Sequence, residues 1–154
     1  MPSDTADIVD LDLAHFMPYR LSVLSNRVSS AIARTYSERF DLTIPEWRCI
    51  AVLGGAAGLS AGDVAQRTAM DKVQVSRAVA RLVENKRVAR VVDADDGRVA
   101  RLSLTARGRA IYDEVAPLAL ALEAKLLDAL SPADRAHLDR IMAKLNAQAA
   151  LLEA

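Results

Sequence analysis

The sequence predicts a mainly α-helical fold that carries one small β-hairpin. Three observations predict it. The apolar mass is mostly Ala, Leu and Val, with aromatics at only 4%, and that composition favours helix. Apolar residues recur at helical spacing over most of the chain, behind repeated N-cap signals. Between residues 88 and 104 the period shortens from 3.6 to 2 around an Asp-Gly pair, the signature of a hairpin.

The first helix is expected over Asp12–Phe40, with Leu13, Met17, Leu21, Leu24, Val28, Ala31 and Ile32 on one stripe and Pro18 placed to kink or restart it. Thr43 with Glu46 three residues on forms a capping box for a helix over Pro45–Leu53, closed by Gly54 and Gly55. Ser60 caps a short helix over Ala61–Arg67. Asp71 caps a fourth that runs to about Lys86. Strands follow over Val88–Asp93 and Arg98–Leu104, joined through Ala94-Asp95-Asp96-Gly97, whose Asp-Gly pair is a hairpin signal. Thr105 caps a helix to Leu127 that Pro117 should bend or split, and Ser131-Pro132 opens the last helix, to about Leu152.

The 154 residues suffice for one ordinary domain or two small lobes sharing a core. With 52% hydrophobic and 26% charged residues, the chain is globular rather than disordered. The apolar run Val115–Leu122 contains Pro117 and is too short to span a bilayer. Residues 1–12 carry Asp4, Asp7, Asp10 and Asp12 without a cation, the reverse of a secretory or transit peptide. Cys49 is the sole cysteine, which excludes an intramolecular disulfide and makes a reduced, cytoplasmic setting the expectation.

Net charge is zero, but it is not evenly spread. Residues 1–66 sum to −3, residues 67–109 to +6 and residues 110–154 to −3. A basic middle segment is the footprint of a polyanion partner, although a solvated face produces the same count. The helix from Asp71 does not decide between the two readings alone, but the capped short helix before it and the hairpin after it favour the first. Val75, Val79, Leu82 and Val83 fall on one side, and Gln74, Arg77, Arg81 and Asn85 on the other. Arg bonds guanine bidentately and Gln bonds adenine. Lys72 and Ser76 stand where a helix N-terminus holds phosphate. Arg98 follows the hairpin tip, where an Arg enters a narrow minor groove, and Asp93 or Asp96 is expected to orient Arg98 or another nearby Arg. Two short helices followed by a basic hairpin have the layout of a winged helix-turn-helix.

Four runs then identify a family: Leu59-Ser-Ala-Gly-Asp-Val-Ala-Gln-Arg-Thr68, Asp71-Lys-Val-Gln-Val-Ser-Arg-Ala-Val-Ala-Arg-Leu-Val83, Val91-Val-Asp-Ala-Asp-Asp-Gly-Arg98 and Leu102-Ser-Leu-Thr-Ala-Arg-Gly108. Together they resemble the MarR family of bacterial transcription regulators, over residues 43–108. The resemblance implies a winged helix-turn-helix DNA-binding domain at 43–104 between helical dimerisation regions at 1–42 and 105–154. It implies a repressor that binds double-stranded DNA at a palindromic operator as a homodimer. It places Asp71–Arg81 in the major groove, Arg98 in the minor groove, and Ser60 or Ala61 near phosphate. It further implies release by a small lipophilic or aromatic anion, such as an aromatic carboxylate or its thioester. The candidates to hold that effector are His15, Phe16, Tyr19, Arg20, Trp47 and Arg48, since Arg beside aromatics binds a carboxylate and stacks an aryl ring. The dimer also has support in the residues themselves, because Leu118, Leu120, Leu122, Leu126 and Leu127 cannot all face one neighbour.

Two alternatives stand beside this reading: a winged helix used only for protein interaction, and an oxidation-sensing repressor based on Cys49. An enzyme is not expected, since the chain lacks a Gly-rich phosphate loop, a nucleophile elbow and a metal constellation. His15 and His137 are too few and too separated for a metal site. No cofactor and no membrane partner are expected.

Overall fold

The structure is a computed structural model that describes residues 10–153. The acidic positions Asp4 and Asp7 lie outside the described residues. The chain forms α1 (Met17–Ala33), α2 (Ser37–Phe40), α3 (Ile44–Gly55), α4 (Ala61–Thr68), α5 (Lys72–Glu84), β1 (Val88–Val92), β2 (Ala100–Leu104), α6 (Ala106–Leu127) and α7 (Pro132–Leu152).

The capping chemistry sets most of the boundaries. Thr43, Ser60 and Ser131 each form a capping box, with Glu46, Asp63 and Asp134 respectively. Asp71 accepts from the Gln74 N–H and Thr105 from the Gly108 N–H.

The predicted elements need four corrections. The helix expected over Asp12–Phe40 is two helices: it starts at Met17, with Pro18 in its first turn, and breaks at Arg34–Tyr36 before α2. Pro is tolerated in a first turn, where its missing N–H has no intrahelical acceptor. The second helix continues through both Gly54 and Gly55. The third correction concerns α6, which runs unbroken past Pro117, so that proline does not split it; Ile111 and Val115, six and two residues earlier, are buried and anchor the helix. Finally, Arg98 and Val99 belong to the turn and not to a strand. The register runs from Val88↔Leu104 to Val92↔Ala100, and the Asp93 N–H bonds the Val99 carbonyl at 2.8 Å. Among the described residues only Gly58 of the glycines has positive φ, so Gly97 sits in the hairpin loop without left-handed backbone.

The core gathers Ile50 and Leu53 of α3, Val64 of α4, Val75, Val79 and Leu82 of α5, Val88 and Leu102 of the hairpin, and Ile111 and Val115 of α6. A bridge between Leu59 and Leu102 ties the hairpin to the segment before α4, with the Leu102 N–H bonding the Leu59 carbonyl at 2.8 Å. The hairpin is therefore fastened to the helix pair α4–α5. No helix among the described residues is long and apolar enough to cross a membrane.

Candidate nucleic-acid interface

The helix pair turns through Ala69, a non-glycine residue with φ of 53°, and buried Met70 anchors the turn. This sets α5 with Val75, Ala78, Val79 and Leu82 inward. Lys72, Gln74, Ser76, Arg77, Arg81 and Asn85 all stand exposed on the outer side. Val73 joins them at 59% exposure. Sequence reading passed over it as an apolar residue, yet an exposed methyl group on such a face suits a thymine methyl.

Two predicted site residues are already engaged within the chain. The Asp71 carboxylate accepts from the Gln74 N–H at 2.8 Å, so its role is to cap α5. The Ser60 hydroxyl donates to Asp63 at 2.8 Å and accepts from the Asp63 N–H at 3.1 Å. The bond from the hydroxyl, followed by one from the Ser60 N–H at 2.9 Å, holds the Asp63 carboxyl below its usual range.

The wing supplies further cations. A shallow cavity of about 340 Å³ is lined by Ser60, Ala61, Arg90, Arg98, Val99, Ala100 and Leu102. Arg98 and Ser60 thus share one depression, and Arg90 joins them. Strand alternation alone does not single out Arg90, because the tertiary bridge at Leu59 creates the depression.

Asp93 organises the tip. Its Oδ1 accepts from the Asp95 N–H at 2.9 Å and from the Asp96 N–H at 3.3 Å, and its Oδ2 accepts from Arg101 Nε at 2.8 Å. These bonds, led by the one from Asp95, lower the Asp93 pKa. The arginine that Asp93 orients is therefore Arg101. Asp96 holds the tip through the backbone N–H of Arg98, at 3.0 Å, which leaves the Arg98 side chain outward.

Of the predicted effector residues, Trp47 and Arg48 line two neighbouring cavities. One, of about 200 Å³, adds Ser29, Ile32, Tyr36 and Ile44. The other, of about 520 Å³, adds Ser25, Ala51, Val52, Arg67, Thr68 and Ala69. Trp47 lies between Tyr36 and Tyr112, with ring centroids at 5.5 and 6.4 Å. Arg48 donates to Ser29 at 3.3 Å. Burial pushes the Tyr36 hydroxyl up to about 12, against the nearby charge of Arg48. His15, Phe16, Tyr19 and Arg20 sit exposed at the start of α1 and line neither cavity. His15 pairs instead with Asp12 at 2.6 Å.

A helix pair whose second member displays cations and amides, flanked by a basic hairpin, defines the class: a winged helix-turn-helix regulator. The MarR family model matches residues 40–99. An HTH-type transcriptional repressor of Mycobacterium tuberculosis is 28% identical over 131 residues, which cover 84% of this chain and 91% of that protein. A MarR/EmrR family regulator of Acinetobacter sp. ADP1 superposes with a TM-score of 0.83 at 25% identity, covering 92% of this chain and 99% of that one. The BpsR protein of Bordetella bronchiseptica, whose DNA binding is regulated by 6-hydroxynicotinic acid, shares the fold with a TM-score of 0.78 at 24% identity, over 90% of this chain and 98% of that one. The chain is thus similar in sequence and fold to MarR-family transcription regulators.

Proposed function

We propose that two copies of the chain form a DNA-binding repressor, with each α5 in the major groove of a palindromic operator and each Arg98 in the adjacent minor groove. The observation that carries this is the outer face of α5. Lys72, Gln74, Ser76, Arg77 and Arg81 all point away from the core on one helix, while Arg90 and Arg98 extend the basic surface along the wing. The relatives named as repressors agree with it. A symmetric dimer reads half-sites about one turn, ~10 base pairs, apart.

The proposal includes release by a small aromatic anion held at Trp47 and Arg48. Arg48 supplies a charge-assisted bond to a carboxylate, and Trp47 with Tyr36 supplies an aromatic wall. The regulation of BpsR by 6-hydroxynicotinic acid, an aromatic carboxylic acid, supports this reading.

Fluorescence anisotropy on duplex DNA from upstream of the chain's own gene, against a scrambled duplex and across a salt series, tests the reading. Preference for the upstream duplex with a steep salt dependence is expected. Arg77→Ala should weaken specific binding by ~1–3 kcal/mol and relax discrimination, whereas Lys72→Ala should weaken all sequences alike and lower the salt slope by about 1. Equal weak binding to both duplexes would favour a protein-docking role for the same face. In the same assay, Arg48→Ala should abolish release by an aromatic carboxylate while leaving operator binding intact.

A further inference from the structure

We propose that Glu46, which lies behind the DNA-facing surface, is a positioning residue that fixes the reading geometry of Arg81; this rests on the DNA-binding reading above. Glu46 is only 2% exposed. Two contacts immobilise it at the start of α3. Its N–H donates to Thr43 Oγ1 at 3.3 Å, and its Oε2 accepts from the Thr43 N–H at 2.9 Å. The remaining oxygen, Oε1, lies 3.0 Å from Arg81 Nε across the groove between α3 and α5. That contact is an ion pair set off the hydrogen-bond direction, and Oε1 has no other partner.

The geometry divides the guanidinium. Its inner edge faces a buried carboxylate that cannot swing away. Its outer edge keeps both Nη groups, and the only other acid in reach among the described residues, Asp41, stands 3.8 Å from one of them and is 93% exposed. Water screens a contact of that kind, so it constrains little. The outer edge emerges beside Gln74 and Arg77, in a groove lined also by Thr43, Pro45 and Ala78. Bidentate recognition of a base edge or phosphate needs a planar fork in a fixed orientation. A free surface Arg loses rotamer entropy on binding. An Arg already held at Nε has lost much of it in the free protein. Arg87, the second cation facing Glu46, is buried behind the pair and leaves Arg81 as the outward one.

A double-mutant cycle tests this, with Glu46→Gln and Arg81→Ala measured on upstream and scrambled duplexes. The glutamine keeps an acceptor for the Thr43 N–H and removes the charge that holds Arg81. Glu46→Gln should weaken binding to the upstream duplex about tenfold. It should leave binding to the scrambled duplex unchanged or tighter, since it removes a negative charge. In an Arg81→Ala background it should cost nothing further. Arg81→Lys, which keeps the charge but loses the fork, should reproduce the loss and decides the matter if Glu46→Gln fails to fold.

An equal cost in both backgrounds, equal effects on both duplexes, no effect on either, or wild-type affinity in Arg81→Lys would each overturn the inference while the DNA-binding reading stands. No preference by the wild-type chain for the upstream duplex would overturn both.

Discussion

Arg87 enters the core just after α5 with most of its donors unused. It is 7% exposed. One Nη group donates to the Phe40 carbonyl, while Nε and the other Nη have no hydrogen-bond partner among the described residues. Burial lowers its pKa, and Arg107 lowers it further against the opposing charges of Glu46 and Asp41. A buried cation with unfilled donors is costly, and an apolar side chain of similar volume is often neutral or better. Arg87→Met should therefore keep the urea midpoint or raise it, whereas Arg87→Ala should lower it by leaving a cavity. Cys49 shows the opposite case, a group whose burial suits it. It is fully buried, and burial followed by the charge of Glu46 pushes its thiol up to about 11. A thiolate is the reactive form, so the geometry does not favour the oxidation-sensor alternative. Native protein should fail to react with a thiol reagent at pH 7 until denatured, and hydrogen peroxide should leave DNA affinity unchanged. At this scale the sequence is least legible. Helical spacing identified the outer face of α5, but the reach of Glu46 to Arg81 and the burial of Arg87 come from contacts between residues far apart in the chain.

Elements were legible where local chemistry decides them. Thr43, Ser60, Asp71, Thr105 and Ser131 each cap the helix that the sequence assigns to them, because an N-cap needs only residues within one turn. Where tertiary context competes, the local signal misleads. Pro117 is carried inside a continuous helix, and the wing tip is set by the Asp93 bonds rather than by Gly97. Gly108 has a role that spacing does not reveal. A Cβ there would collide with the Arg87 carbonyl and press on Leu104, at the point where the first turn of α6 meets the start of the hairpin. Thr105 adds to that junction by donating to the Lys86 carbonyl at 2.7 Å. Gly108→Ala should cost ~1–3 kcal/mol, as overpacking does, measured by urea unfolding. The hairpin would shift with α6, so the loss should extend to DNA contacts through Arg98. Gly97→Ala, which meets nothing within 4 Å, should leave stability nearly unchanged.

At the scale of the whole molecule, the helices at both ends of the chain leave large apolar groups uncovered. The helix α7 buries no residue among those described, and Leu138, Ile141, Met142 and Leu145 recur along it at 40–49% exposure. Leu118, Leu120 and Leu126 of α6 and Leu11, Leu13, Phe16, Met17, Tyr19, Leu21 and Leu24 at the other end of the chain are exposed as well. A soluble chain seldom leaves so many large apolar groups at helical spacing in water, and such a surface marks an interface. These apolar positions come from both ends of the sequence, while the proposed DNA face is built from the middle. Arg135 supports the arrangement from within the chain. Its Nε and one Nη both donate to the Leu127 carbonyl, at 3.1 and 2.7 Å, tying α7 to the end of α6 so that both helices present their apolar groups together. If two copies meet here, Ile141→Glu places a charge in the centre of each interface, where desolvation without a partner is severe. Sedimentation should then show a dimer for the wild-type chain and a monomer for the variant. The circular dichroism of the winged helix should persist, since its core lies elsewhere. Operator affinity should fall much further than affinity for a single half-site, because the monomer loses the gain from two linked contacts. A monomeric wild-type chain at micromolar concentration would overturn the symmetric reading of the operator, and a variant that stays dimeric would move the interface off α7.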